Sequence, residues 1–237
     1  HNGRRRQRQM CIRDRWNTIY ITDMSSLFSC ECSFNSVISS WDVSNVTDMS
    51  GMFCDAYEFN QPLNNWNVSN VTNMLMMFKK ATSFNQPLDN WDVGNVENMS
   101  EMFRDAVNFN QPLNNWDVSS VTDMCSMFEN AKFNKPLNNW NVGNVENMSF
   151  MFYEAKSFNQ PLNNWDVSNV EAMQAMFGHT IKFNQPLNNW NVGNVEMMSH
   201  MFFEAKSFNQ PLDNWNVSNV VYMQEMFKNA ESFNQDI

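Results

Sequence analysis

Long apolar runs are missing from this sequence. No stretch approaches the roughly 18 uninterrupted apolar residues of a membrane-spanning helix, so no membrane insertion is expected. Histidine is nearly missing too: His1, His179 and His200 are the whole supply. Cys125 and His179 lie far apart with no recurring partner. A catalytic nucleophile needs a base within hydrogen-bond reach, so no enzyme activity and no cofactor are expected. The five cysteines (Cys11, Cys30, Cys32, Cys54, Cys125) form no Cys-x-x-Cys pair. Their odd number and irregular placement argue against a disulfide framework and against a structural zinc site. Basic residues are scarce beyond the start of the chain. Six of the 15 Lys and Arg and one of the 25 Asp and Glu lie in residues 1–15, leaving 9 basic against 24 acidic residues in 16–237. That balance repels nucleic acid phosphates and anionic membrane surfaces, and neither is an expected partner.

What the chain has is repetition. Its nine tryptophans, Trp16, Trp41, Trp66, Trp91, Trp116, Trp140, Trp165, Trp190 and Trp215, recur every 25 residues, with one step of 24 between Trp116 and Trp140. A fixed period of this size marks a solenoid whose units bury their apolar faces only against their neighbours. Residues 16–237 therefore read as one repeat array, truncated within a repeat at its C-terminal end. Residues 1–15 read as a basic non-repeat segment, disordered or extraneous to the array; an arm for nucleic acid or targeting is the alternative. No apolar signal-peptide core follows its arginines.

Within one unit, Leu63, Trp66 and Val68 give a pattern that predicts a short strand. Pro62 sits just ahead, where its missing amide donor costs least, and all seven prolines of the chain share that slot. Val71, Met74, Met77, Phe78 and Ala81 then step by 3, 3, 1 and 3, the spacing of one helix face, with Ser69 or Asn70 placed to cap the first turn. The expected fold class is α/β: a right-handed leucine-rich-repeat-like solenoid of about nine 25-residue coils, each a short strand plus a short helix, with a parallel sheet on one face.

Stacking turns each slot into a ladder. Phenylalanine fills two, Phe28 to Phe227 and Phe34 to Phe233, and methionine fills two more, Met24 to Met223 and Met52 to Met226. Methionine adapts to irregular gaps and packs well at ring edges, so these rows read as core rather than as a metal site. An asparagine follows the second phenylalanine in every copy. Asn60, Asn85, Asn110, Asn134, Asn159, Asn184 and Asn209 are expected to form a structural amide ladder satisfying turn backbone from coil to coil.

The string Phe-Asn-Gln-Pro-Leu-x-x-Trp-Asp/Asn-Val-Ser-x-Val-Thr-x-Met-x-x-Met-Phe, carried from Trp16 to Ile237, resembles the repeat of the BspA-like leucine-rich-repeat surface proteins. Trp66, Val68, Val71 and Met74 stand where that family's usual leucines would be. The resemblance implies a curved leucine-rich-repeat solenoid, a cell-surface or secreted location, and a role in adhesion or protein binding. The expected function is a non-enzymatic binding scaffold for a protein or glycan ligand; a structural spacer or intracellular interaction array is the alternative. Binding is expected on the open sheet face, at the slot after each tryptophan: Asp42, Asn67, Asp92, Asp117, Asn141, Asp166, Asn191 and Asn216. Mixed Asp and Asn there could ligate calcium, but one carboxylate per coil is a sparse cage, and no metal is expected. The sequons at Asn45, Asn67, Asn70, Asn98, Asn147 and Asn216 arise from the repeat itself. The apolar C-terminal end is expected to self-associate end to end.

Overall fold

A computed structural model describes residues 16–237; the expectation for residues 1–15 lies outside them. The described chain winds into nine stacked coils, each carrying one of the tryptophans, and every coil bonds to its neighbours. The predicted strand-plus-helix unit is not what the coils contain. No helix occurs among the described residues, and strand character is confined to single-residue parallel bridges, Asp23 to Asp48, Asp48 to Asn73 and onward to Tyr222. The α/β solenoid with a parallel sheet is thereby overturned, and with it the open sheet face on which binding was placed.

The coils are built from turns. In the third coil the Trp66 N–H bonds back to the Leu63 carbonyl, Val71 to Val68, Met77 to Met74, Lys79 to Met76, Ala81 to Phe78 and Phe84 to Ala81, all across three residues. Where a strand was expected, the turn between Leu63 and Trp66 breaks the extended run, so Leu63, Trp66, Val68 and Val71 all point inward because the chain bends, not because it alternates.

Where a helix was expected, only every second amide bonds within its own coil. The intervening N–H groups of Met74, Met76, Phe78 and Lys80 donate to the carbonyls of Asn98, Ser100, Met102 and Arg104 in the next coil, at 2.7–3.0 Å. Helical amides all point one way along their own axis; here successive peptides alternate between the coil and the stack direction. A left-handed residue makes each flip. Two slots per coil have positive φ, for example Met76 (φ 55) and Lys80 (φ 56) in the third coil and Phe150 (φ 59) and Glu154 (φ 56) in the sixth. Only Gly51 meets this demand with glycine. For other residues the left-handed region costs about 1–2 kcal/mol each, which the inter-coil hydrogen bonds must offset.

The core is a set of continuous rows. The two phenylalanines of one coil stack face to face, 3.8 Å between centroids for Phe28 and Phe34 and 4.2 Å for Phe227 and Phe233. Each also stacks on its equivalent in the next coil, as Phe78 does on Phe103 at 5.6 Å. Tryptophan rings stack on their own row, Trp91 on Trp116 at 6.3 Å and Trp190 on Trp215 at 6.5 Å. The tryptophan is more than filler: each indole N–H from Trp66 onward donates to the backbone of the preceding coil, as Trp116 does to the Leu88 carbonyl at 2.9 Å and Trp190 to that of Leu162 at 2.9 Å. In the short fifth coil, the small turn seen between Lys80 and Thr82 has no counterpart before Phe133, and Phe133 still stacks on Phe109. The deletion falls where a loop absorbs it.

Candidate binding surface

The row after each tryptophan is exposed throughout and serves the backbone. Asp42 accepts from the Ser44 amide at 3.0 Å and its hydroxyl at 2.6 Å. Asn67 does the same with Ser69. Asp92, Asp117, Asn141, Asp166, Asn191 and Asn216 each accept from the amide two residues on. These are Asx-turns, in which a short side chain stands in for a backbone carbonyl. The Ser119 and Ser168 hydrogen bonds hold the Asp117 and Asp166 carboxyls below the ordinary carboxylate range, as those of Ser44 do for Asp42. Among the described residues no group of three or more His, Cys, Asp or Glu side chains is arranged to hold a metal ion.

The second asparagine row bridges coils. Asn60 accepts from the Asn85 amide at 3.0 Å, Asn85 from Asn110, Asn110 from Asn134, and Asn134, Asn159, Asn184 and Asn209 continue the chain to Asn234. The following glutamine adds its own amide to the same oxygen, as Gln86 does at 3.0 Å. The row stands at the partly exposed edge of the stack, not in its interior.

A third row was not anticipated. Asn45, Asn70, Asn95, Asn144, Asn169, Asn194 and Asn219 donate their amides to backbone carbonyls of the preceding coil at 2.6–2.7 Å, and the Ser120 hydroxyl replaces the amide in its coil. The signal was in the sequence: an Asn or Ser before every inward Val of the Val-Thr or Val-Glu pair. With Glu146, Glu171 and Glu196, part of this row lines a shallow polar trough.

The run of turns that stands where the helix was expected, 73–81 in the third coil and its equivalents, forms an arc that carries the least uniform outward side chains. From the third to the fifth coil it holds charge: Lys79 pairs with Glu101 at 2.6 Å, and Arg104 bridges Glu101 at 3.0 Å and Glu129 at 2.8 Å. The Arg104 Nε makes no hydrogen bond. Burial works against the Glu101 carboxylate, but Lys79 and Arg104 outweigh it and lower its pKa; burial prevails at Glu129 and raises it. From the sixth to the eighth coil the same arc holds rings: Phe150, Tyr153, His179, His200 and Phe203. Burial, with Asp55 beside it, pushes Cys54 up to about 11, and burial also raises Cys125. His179 sits beside Glu204 at 3.2 Å, two coils beyond Cys125.

None of the curated proteins matches the chain in sequence. A leucine-rich-repeat protein of Leptospira interrogans aligns over 93% of this chain and 97% of its own, at 6% identity and a TM-score of 0.22. That likeness is too low to carry an argument. A protein-family profile described as Mycoplasma protein of unknown function, DUF285, matches residues 4–106, 87–181 and 161–237, which together tile the array. The chain belongs to that repeat family.

Proposed function

We propose that this repeat array is a non-enzymatic binding scaffold for a protein or glycan, part of a surface or secreted protein of the BspA-like kind. The observation that carries this reading is the division of labour among the slots. Between the end coils the Trp, Phe, Met, Val and Leu rows are buried, and the Asn and Asp rows are spent on backbone hydrogen bonds. Free variation is left to the partly exposed positions of the arc, such as Gly51, Leu75-Met76, Phe150, Met197 and Phe203. A rigid repeat that varies only where it faces outward is the arrangement by which solenoids build extended binding surfaces. Residues 16–237, with 24 acidic against 9 basic residues, disfavour nucleic acid as the partner.

The second reading, a spacer holding another domain away from a surface, draws on the near-uniformity of the stack. Capture on an immobilised array and a glycan array separate the two. A binding scaffold retains a defined ligand and loses it when arc residues are exchanged between coils. A spacer retains nothing and keeps its role when repeats are reordered.

A further inference from the structure

The rings on the arc of the sixth to eighth coils form one connected band. Phe150 meets Tyr153 edge to face at 5.7 Å, Tyr153 meets His179 at 5.2 Å, His179 meets Phe203 at 5.1 Å, and Phe203 meets His200 at 5.6 Å. All five are half-buried, so each still offers ring surface to solvent. The band depends on a gap. Gly178 occupies the slot between Tyr153 and Phe203, and a Cβ there would lie 2.8 Å from Tyr153 Cδ2. The missing side chain lets the Tyr153 ring lie over the next coil and reach His179.

Carboxylates rim the band. Glu204 stands 3.2 Å from His179 and Glu225 3.3 Å from His200, while Glu154 follows Tyr153 in the chain and pairs with the exposed Lys156 at 3.4 Å, which an incoming cation must displace. Burial and the charges of Glu154, Glu129 and Glu204 all push the Tyr153 phenol upward, so it stays neutral. The molecule also shows how this surface receives a cation. The Lys228 ammonium lies 5.7 Å from the Phe203 ring centre and pairs with Glu225 at 2.8 Å. Ring faces carry negative potential and attract ammonium and guanidinium groups, and a neighbouring carboxylate fixes the cation in place.

Resting on the scaffold reading, we infer that this band binds a lysine- or arginine-bearing segment of a partner protein. Side chains of that segment seat on Tyr153, His179 and Phe203 and pair with Glu154 and Glu204, as Lys228 already does at one edge. The acidic excess of residues 16–237 steers such a segment inward. A neutral sugar could use the rings and hydrogen-bond the carboxylates, but it would gain nothing from their charge, which an ammonium or guanidinium does.

The test is fluorescence anisotropy of the whole chain with a labelled peptide of alternating lysine and glycine, beside the matching glutamate–glycine peptide and a neutral oligosaccharide. The lysine peptide alone is expected to bind. Y153S/F203S should weaken it about tenfold, E154Q/E204Q several-fold, and E146Q/E171Q/E196Q in the polar trough less than twofold. Because E154Q/E204Q leaves the rings in place, it decides the matter if Y153S/F203S melts early. No binding of the lysine peptide, equal weakening by the trough variant, or sugar binding on the rings would overturn the inference. A partner captured equally by wild type and Y153S/F203S would sink the inference alone and leave the scaffold reading standing.

Discussion

At the scale of single residues, two devices hold the chain to its path: left-handed backbone at fixed slots and short polar side chains bonded to nearby amides. The first is testable at Gly51, whose φ is +58 and where a Cβ would lie 3.3 Å from the Ser26 hydroxyl. Gly51→Ala should cost about 1–2 kcal/mol. Met76→Gly, at the same slot one coil on, should stabilise by up to about 1 kcal/mol, reduced by the greater freedom of glycine in the unfolded chain. Urea melts of both variants check the pair of signs. The second device is pH-dependent at Asp42, Asp117 and Asp166. The Ser119 hydrogen bonds lower the Asp117 pKa in the folded state, so the stability they give is complete above the unfolded value of about 3.9. It is lost as pH falls through the depressed value. Asp117→Asn, the residue that Asn141 supplies one coil later, should keep the Asx-turn and flatten this part of the acid limb in melts between neutral pH and strong acid.

At the scale of the coil, the unit of stability is the interface between neighbours. Trp116 is buried, stacks on Trp91 and donates to the Leu88 carbonyl. Trp116→Ala should cost about 3–5 kcal/mol. Trp16, 49% exposed and stacked on Trp41, should cost clearly less on the same change, as denaturant melts would show. Equal losses would contradict a nearest-neighbour array. Much of this interface was legible in the sequence. Period, row membership and the inward direction of Trp66, Val68, Val71, Met74, Met77 and Phe78 all follow from spacing. The backbone between them did not. Steps of 3, 3, 1 and 3 fit a helix face and equally fit consecutive three-residue turns. What distinguishes the two is the destination of the Met76 and Lys80 amides, and those bonds reach residues about 25 positions away, beyond any local pattern. Pro62 and the Asn64-Asn65 pair were the available warning against a strand. The ring band was illegible for a similar reason. Tyr153, His179 and Phe203 each look like an isolated departure from the repeat, and only stacking brings them together.

At the scale of the whole molecule, the stack is polar along its length. Along the arc, amides of one coil donate to carbonyls of the next, so there one end of the described array offers carbonyls at Asp23, Ser25 and Leu27. The other end offers amides at Met223, Glu225 and Phe227. The last coil also exposes Val221 (64%) and Tyr222 (52%). Unpaired edges of this kind invite pairing with other chains, so this polypeptide should associate head to tail. The association should strengthen with salt, which screens the repulsion between acidic copies. Light scattering across concentration would show it; a strictly monomeric chain at high concentration and high salt would contradict it, while an added polar capping coil should keep the chain monomeric.

The central claim is that the arc of each coil bonds to the next coil instead of forming its own helix, and amide hydrogen exchange along the 237-residue chain tests it most directly. The amides of Met198, His200, Phe202 and Glu204 donate to Tyr222, Gln224, Met226 and Lys228 of the last coil. Met223, Glu225, Phe227 and Asn229 occupy the same slots one coil later and have no following coil to accept them among the described residues. Under dilute conditions, where the chain is monomeric, the first four should exchange slowly and the second four fast. Comparable protection of both sets would mean that each coil satisfies its own amides, as a helix does, and would contradict the stacked-turn architecture.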